Sequence, residues 1–219
     1  MRNKLLRFKE NSERRNVLED GKPVFETIKG KWNEEQFQND NDLVLELACG
    51  RGEYTVGLAR VDSERNFIGV DIKGCRIWKG SGMAIEEGLE NVAFLRTQIL
   101  MLEKFFDENE VSEIWITFPD PRPRDRDEKR RLTHKRFLDM YKKVLKPGGW
   151  MKFKTDNTDL FQYTLDTLAE RDDIQDLEYT FNLYESEYMP EHFGIKTRFE
   201  QKFYDKGEDI KYMKFRFKK

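Results

Sequence analysis

From residue 43 onward, short apolar runs alternate with longer stretches whose apolar positions recur every three or four residues. Residues 43–47 (Leu-Val-Leu-Glu-Leu) read as a buried strand, and 53–61 as a helix carrying Val56, Leu58 and Ala59. The alternation continues. Strands are expected at 66–71, 92–96 and 112–118, with helices at 73–87 and 100–106 between them. The stretch 133–144 places Phe137, Leu138, Tyr141 and Val144 on one helical face and stops at Lys-Pro-Gly-Gly, 146–149. A fifth strand follows at 150–155, then a helix at 160–171, a strand at 177–184, a short helix at 197–205 and a last strand at 210–217. The alternation of that last strand changes phase at Met213, which predicts a bulge. The fold class is therefore α/β: a doubly wound, mostly parallel, Rossmann-like sheet. In such sheets ligands bind outside the carboxyl ends of the strands.

Two segments interrupt the periodic pattern with chemistry. Glu46-Leu-Ala-Cys-Gly-Arg-Gly52 follows the first strand and opens the first helix. Gly50 and Gly52 allow a tight turn and close approach of a ligand. A dinucleotide fingerprint requires a third small residue where Thr55 stands. A carboxylate at Glu46 also disfavours pyrophosphate and suits a cationic amine or sulfonium. Asp71 ends the second strand, where a carboxylate can accept ribose hydroxyls, and Gln98 beyond the third strand is placed to reach an adenine edge. Together these features point to an S-adenosylmethionine site; the competing reading is a dinucleotide fold with a degenerate fingerprint.

The second segment is 116–132, where a strand runs into Phe118-Pro-Asp-Pro121 and a dense basic stretch. Asp120 sits between two prolines that restrict the backbone and remove amide donors. Pro-Asp-Pro also makes an ordinary turn. Its place at a strand end, beside Arg124, Arg126, Lys129, Arg130 and Arg131, favours chemistry on a polyanion.

Composition sharpens this picture. The chain has 219 residues and a formal net charge of −2, so any nucleic-acid surface must come from uneven charge. Basic residues outnumber acidic ones six to two in 1–15, eight to three in 122–136 and five to none in 211–219. Any one run alone reads as a solvated face. Cys49 and Cys75 have neither metal-ligand nor disulfide spacing, and Cys49 reads as a small loop residue. With no signal peptide and no apolar run of membrane-spanning length, the expectation is a cytoplasmic protein without membrane contact. His134 and His192 carry no partner motif. Tyr184, Tyr188, His192 and Phe193 read first as packing residues and second as base-stacking ones.

The motifs resemble the bacterial tRNA (guanine-N7-)-methyltransferases, the TrmB-like class I enzymes. The likeness runs from about Leu43 to Phe215. It is carried by the Glu46–Gly52 loop, Asn66-Phe-Ile-Gly-Val-Asp-Ile-Lys73, Phe118-Pro-Asp-Pro121 with Lys129-Arg-Arg-Leu132, Leu145-Lys-Pro-Gly-Gly149, Lys154-Thr-Asp156 and Thr197-Arg-Phe-Glu200. The resemblance implies a seven-stranded sheet whose final strand is antiparallel. Ahead of it, the polar stretch 1–40 with its scattered aromatics reads as a basic N-terminal arm and lead-in, partly disordered at its start, so the methyltransferase domain is expected at 41–219. S-adenosylmethionine would be held by Glu46, Gly50, Gly52, Asp71, Gln98 and Asp120, with Asp120 also catalytic. Arg124, Asp156, Thr197, Arg198, Phe199 and Glu200 would contact the guanosine. Arg124, Arg126, Lys129, Arg130 and Arg131 would grip tRNA, and no metal is implied.

The implied product is 7-methylguanosine at tRNA position 46, made by a monomer or homodimer. Arg122 departs from the family, which usually has Trp there, and Asp71, Gln98 and Arg124 are milder departures. The alternatives are a methyltransferase acting on another base, on protein or on an exocyclic amine, an aminopropyltransferase, and a non-catalytic RNA-binding subunit with a similar pocket.

Overall fold

The apolar runs become the strands of one sheet in the computed structural model, which describes residues 4–219. The elements in chain order begin with α1 (Lys4–Glu13), β1 (Val17–Leu18), β2 (Asp42–Leu47), α2 (Glu53–Val61), β3 (Arg65–Asp71) and α3 (Gly74–Glu86). β4 (Val92–Arg96), α4 (Leu102–Phe105), β5 (Val111–Thr117), α5 (Lys135–Val144) and β6 (Leu145–Thr155) follow. The chain ends with α6 (Thr158–Ala169), β7 (Ile174–Thr180), α7 (Arg198–Tyr204) and β8 (Lys211–Phe217). The sheet order is β1-β4-β3-β2-β5-β6-β8-β7. All neighbours are parallel except β8, which runs antiparallel to both β6 and β7. The expected seven strands are present, and the eighth is the two-residue β1 at the edge.

Strand alternation divides the core into two apolar clusters. Leu43, Leu45, Leu47, Ile68, Val70, Ile114 and Ile116 pack with residues of α4, α5 and α6. Val44, Phe67, Phe94 and Trp115 pack with α2 and α3. The lead-in joins the first cluster through Phe25, Ile28, Trp32 and Phe37. Trp32 is fully buried, stacks on Phe106 at 5.2 Å and donates from Nε1 to the Phe105 carbonyl. α1 lies on α3, with Asn11 donating to the Gly74 carbonyl and Phe8 filling the space beside Gly74.

Two expectations need correction. The strand placed at 177–184 is Ile174–Thr180, and Leu183–Glu185 forms a 3-10 turn. The reason lies in the side chains: Leu183 is buried in the second cluster, and Tyr184 turns toward a buried carboxylate described below. β8 has no bulge at Met213, because its pairing with β6 runs unbroken from Arg216 to Lys211. The register shift lies in β7 between Gln175 and Glu178, where Asp176 has φ 53°. The apparent phase change at Met213 arises because Tyr212 and Met213, on opposite faces, are both buried in different clusters.

The site is placed by the parallel strands, whose carboxyl ends share one edge. Between β7 and β8 the chain leaves the sheet and crosses toward that edge. It seats there because α2 has glycine at position 57: a Cβ would lie 2.4 Å from Ile195 Cγ2.

Candidate active site

The loop after β2 bends through three left-handed positions, Ala48 (φ 57°), Gly50 (φ 58°) and Gly52 (φ 68°), before α2 begins. Asp71 at the end of β3 fixes this loop. One carboxylate oxygen accepts from the Gly50 amide at 3.0 Å and the other from the Lys73 amide at 2.8 Å. Gly52 serves packing: a Cβ there would meet Phe94 at 2.4 Å and the Gly80 backbone at 3.2 Å.

Glu46, near the end of β2, is buried beneath α2. Its Oε2 accepts from the Thr55 amide at 2.8 Å and from the Thr55 hydroxyl, and its Oε1 accepts from the Thr117 hydroxyl at 2.6 Å. Burial pushes this carboxyl up to about 7, against the opposing pull of those hydrogen bonds and of Lys154. In a dinucleotide fold the amides of this first helical turn face pyrophosphate. Here a carboxylate already takes the Thr55 amide, so the loop is unsuited to pyrophosphate and presents acid instead.

A cavity of about 740 Å³ opens beside Glu46 and the Ala48–Gly50 backbone. Its walls include Cys75, Arg76, Thr117, Phe118, Thr197, Arg198 and Phe199. That volume lies in the range of small-molecule sites. Cys49 lines it too, buried and with its thiol pushed up by burial, as befits a small loop residue. Of the residues expected around a cofactor, Glu46 and Gly50 line the cavity and Asp71 adjoins it through Gly50. Gln98 is exposed at the start of the 3-10 turn Ile99–Met101 and does not line it.

At the end of β5, Phe118 takes a left-handed backbone (φ 47°) and lines the cavity. Asp120 follows two residues on, with 62% of its side chain exposed and Arg122 Nε at 3.2 Å. Arg122 (φ 48°) completes the turn, and its carbonyl accepts from Arg131 Nε at 3.2 Å while the Arg131 guanidinium lies over Tyr163. Within the following 3-10 segment, Asp127 pairs with Arg130 at 3.0 Å and with Arg124 at 3.7 Å. Arg126 and Lys129 are exposed and make no ion pair among the described residues. The C-terminal basic run is used internally. Lys211 donates to the Asp156 and Asp209 carbonyls, Lys214 pairs with Glu178 and Glu191, and Arg216 lies over Trp150.

Thr197 caps α7 by accepting from the Glu200 amide at 3.0 Å. Glu200 is fully buried, and three side chains hold its carboxylate. Lys154 Nζ lies 2.9 Å from Oε2; the Tyr184 hydroxyl donates to Oε1 at 2.8 Å, and His192 Nε2 meets the same oxygen at 2.8 Å. Burial alone would raise the Glu200 carboxyl, but His192 and Lys154 outweigh it and hold it below its ordinary value. Burial lowers the Lys154 ammonium, with Glu200 and Glu46 opposing. Asp156, just beyond β6, is half-buried and its carboxyl is raised by burial.

Lys154, Thr55, Thr117, Tyr184 and His192 are therefore part of the site's frame; Tyr184 and His192 are expected from sequence only as packing or stacking residues, and none of the five is expected to hold a buried carboxylate. A signal for the lysine existed: Lys152 and Lys154 lie on one face of an interior strand, with Glu113 on the adjacent strand β5 and Glu46 on β2 one strand further. A buried lysine requires such a partner.

A doubly wound sheet with β8 antiparallel, an acidic Gly-turn-Gly loop and a cavity at the strand ends defines the class I methyltransferase architecture. The family described as "Putative methyltransferase" matches residues 40–213. Among solved structures, the 16S rRNA methyltransferase KamB superposes with a TM-score of 0.65 at 16% identity, covering 93% of this chain and 99% of that one. That likeness concerns the fold.

The nearer relatives narrow the class. The chain is 48% identical to a tRNA (guanine-N(7)-)-methyltransferase of Cytophaga hutchinsonii, covering 99% of this chain and 98% of that protein. It is 49% identical to the enzyme of that name from Christiangramia forsetii, covering 99% of each. The chain belongs to the tRNA (guanine-N(7)-)-methyltransferase family.

Proposed function

We propose that this protein transfers a methyl group from S-adenosylmethionine to N7 of a guanosine in tRNA, at position 46 of the variable loop. The observation that carries this reading is the cavity at the ends of β2 and β5. Glu46 and the Asp71-anchored loop line it, as does Phe118, two residues before Asp120. The donor supplies an electrophilic methyl on a sulfonium. Glu46, the Ala48–Gly50 backbone and Asp71 would hold it, in a pocket whose first helical turn disfavours pyrophosphate.

Guanine N7 has an in-plane lone pair and no proton, so the reaction needs no general base. The protein's task is then positioning and electrostatics. Asp120, open to solvent and tethered among the described residues by Arg122 alone, is free to orient the base and to offset the positive charge that develops on the purine. Asp156 and the Thr197–Phe199 segment stand at the same edge to fix the nucleoside. Glu200 acts from behind: with both oxygens engaged by Lys154, Tyr184 and His192, it anchors that segment. Arg126 and Lys129 are available for phosphate contact, whereas Arg131 is committed to the Arg122 turn.

Nucleoside mass analysis of tRNA incubated with the protein and S-adenosylmethionine tests the reading. 7-Methylguanosine is the expected product. Cofactor binding with methylation of another base, or with none, would overturn it.

A further inference from the structure

The wall of the cofactor cavity carries more positive charge than a methyl donor requires. Arg7 on α1, Arg51 before α2, Arg76 and Lys79 on α3, and Arg198 and Lys202 on α7 all line it. All but the half-buried Arg7 are exposed, and none of the six makes an ion pair with an acid among the described residues. Some surface cations elsewhere are paired, as in Arg60–Glu87, Lys143–Glu103 and Lys146–Asp42, whereas here six cations without an acid partner among the described residues line one cavity. Among the described residues, two carboxylates line the cavity. Glu46 is held by Thr55 and Thr117, and Glu53 accepts from the Arg198 amide at 2.7 Å.

S-adenosylmethionine carries a sulfonium and an ammonium against a single carboxylate. Its one negative group can engage one or two of these cations, and the others repel its sulfonium and ammonium. Like charges gathered at a mouth whose two acids are already hydrogen-bonded elsewhere are costly unless a polyanion neutralises them. The arrangement is also built rather than incidental. Arg76 and Lys79 are three apart, and Arg198 and Lys202 four apart, so each pair shares a helix face. Arg7 is brought in because α1 is fastened to α3, and its guanidinium lies over Trp78 at 4.9 Å.

We propose that Arg7, Arg51, Arg76 and Lys79, continued across the cavity by Arg198 and Lys202, form a second RNA-binding wall that grips phosphates flanking the target nucleotide. This rests on the tRNA methylation reading. It makes the cofactor mouth itself a phosphate-binding surface, additional to the 124–131 segment, so tRNA docking covers the loaded cofactor and excludes water from it.

The test uses the full-length protein carrying Arg76→Gln and Lys79→Gln together, measured against whole tRNA at several salt concentrations. Each lost phosphate contact reduces the slope of log affinity against log salt by roughly 0.7–0.9. The expected result is tRNA binding weakened about tenfold near physiological salt, with the slope reduced by about 1.5. S-adenosylmethionine affinity by calorimetry should stay within about twofold and the melting temperature should be unchanged. The charge-keeping pair Arg76→Lys and Lys79→Arg should restore both affinity and slope. Unchanged tRNA affinity and slope would overturn the proposal, as would a loss confined to cofactor affinity, which would assign these cations to the cofactor carboxylate. A wild-type protein that shows the wall-dependent slope yet forms no 7-methylguanosine would sink the methylation reading and leave the wall standing.

Discussion

Glu46→Gln isolates the electrostatic cost built into the cofactor loop. In the native protein this carboxyl is raised from 4.5 to about 7, chiefly by burial. Each pH unit of such displacement corresponds to about 1.4 kcal/mol, so ionising Glu46 in the empty fold costs about 3 kcal/mol. The sign follows from linkage. The native state holds this proton more tightly than the unfolded chain, so the contribution to stability is complete below about pH 4.5. It is lost as pH rises through about 7. A glutamine keeps the shape and is neutral throughout. The Thr55 amide can still donate to its carbonyl oxygen, and the Thr117 hydroxyl can turn to accept from its NH2.

Urea unfolding at pH 5 and pH 8 reads the effect. Near pH 5 the variant and the wild type should differ little, and at pH 8 the variant should be the more stable by about 2–3 kcal/mol. Cofactor binding should move the opposite way. Calorimetry at pH 8 should show affinity for the cationic donor reduced about tenfold, or about 1.4 kcal/mol. Stability curves that run parallel from pH 5 to pH 8 would refute the assignment of a raised, buried carboxyl. Unchanged donor affinity would refute its role beside the sulfonium.

Three further substitutions probe the surrounding frame. Lys154→Met removes one of the three groups that hold Glu200, leaving a fully buried carboxylate underpaired; chemical denaturation should show a loss of about 3–5 kcal/mol, relieved in part by adding Glu200→Gln. Gly57→Ala places a Cβ 2.4 Å from Ile195 and should cost about 1–3 kcal/mol while raising the KM for tRNA; a second change, Ile195→Ala, should recover stability, and no loss in the single variant would contradict the seating described. Asp120→Ala removes an exposed side chain, so unfolding free energy should change by less than about 0.5 kcal/mol. The single-turnover methylation rate should nonetheless fall about a hundredfold or more, and retention of full rate would exclude Asp120 from the reaction.

The sheet was legible in sequence because its strands are interior and apolar: 92–96 was read at its observed bounds, and 43–47 and 66–71 to within one residue. The Gly-turn-Gly loop, Asp71 and the Phe118–Pro121 turn were legible for the same kind of reason, since each is local. What escaped was non-local. No spacing in sequence announces that Lys154 will meet Glu200, 46 residues away, or that His192 and Tyr184 will close on the same carboxylate. The histidine was passed over because it has no partner nearby in sequence. Its partner is supplied by α7 folding back.

The basic runs show the same limit. Charge density marked 211–219 as readily as 122–136, yet the first is spent on Asp156, Glu178, Glu191 and Trp150. Arg122, unexplained as a replacement for Trp, acquires a local role: it pairs with Asp120, and its carbonyl receives Arg131.

Methyl transfer to guanine N7 in tRNA can be probed by changing that one atom. Two tRNA transcripts, one with guanosine and one with 7-deazaguanosine at variable-loop position 46, would be incubated with the protein and methyl-labelled S-adenosylmethionine. Label is expected in the first transcript, recovered as 7-methylguanosine, and none in the second. Equal labelling of both transcripts would contradict transfer to N7.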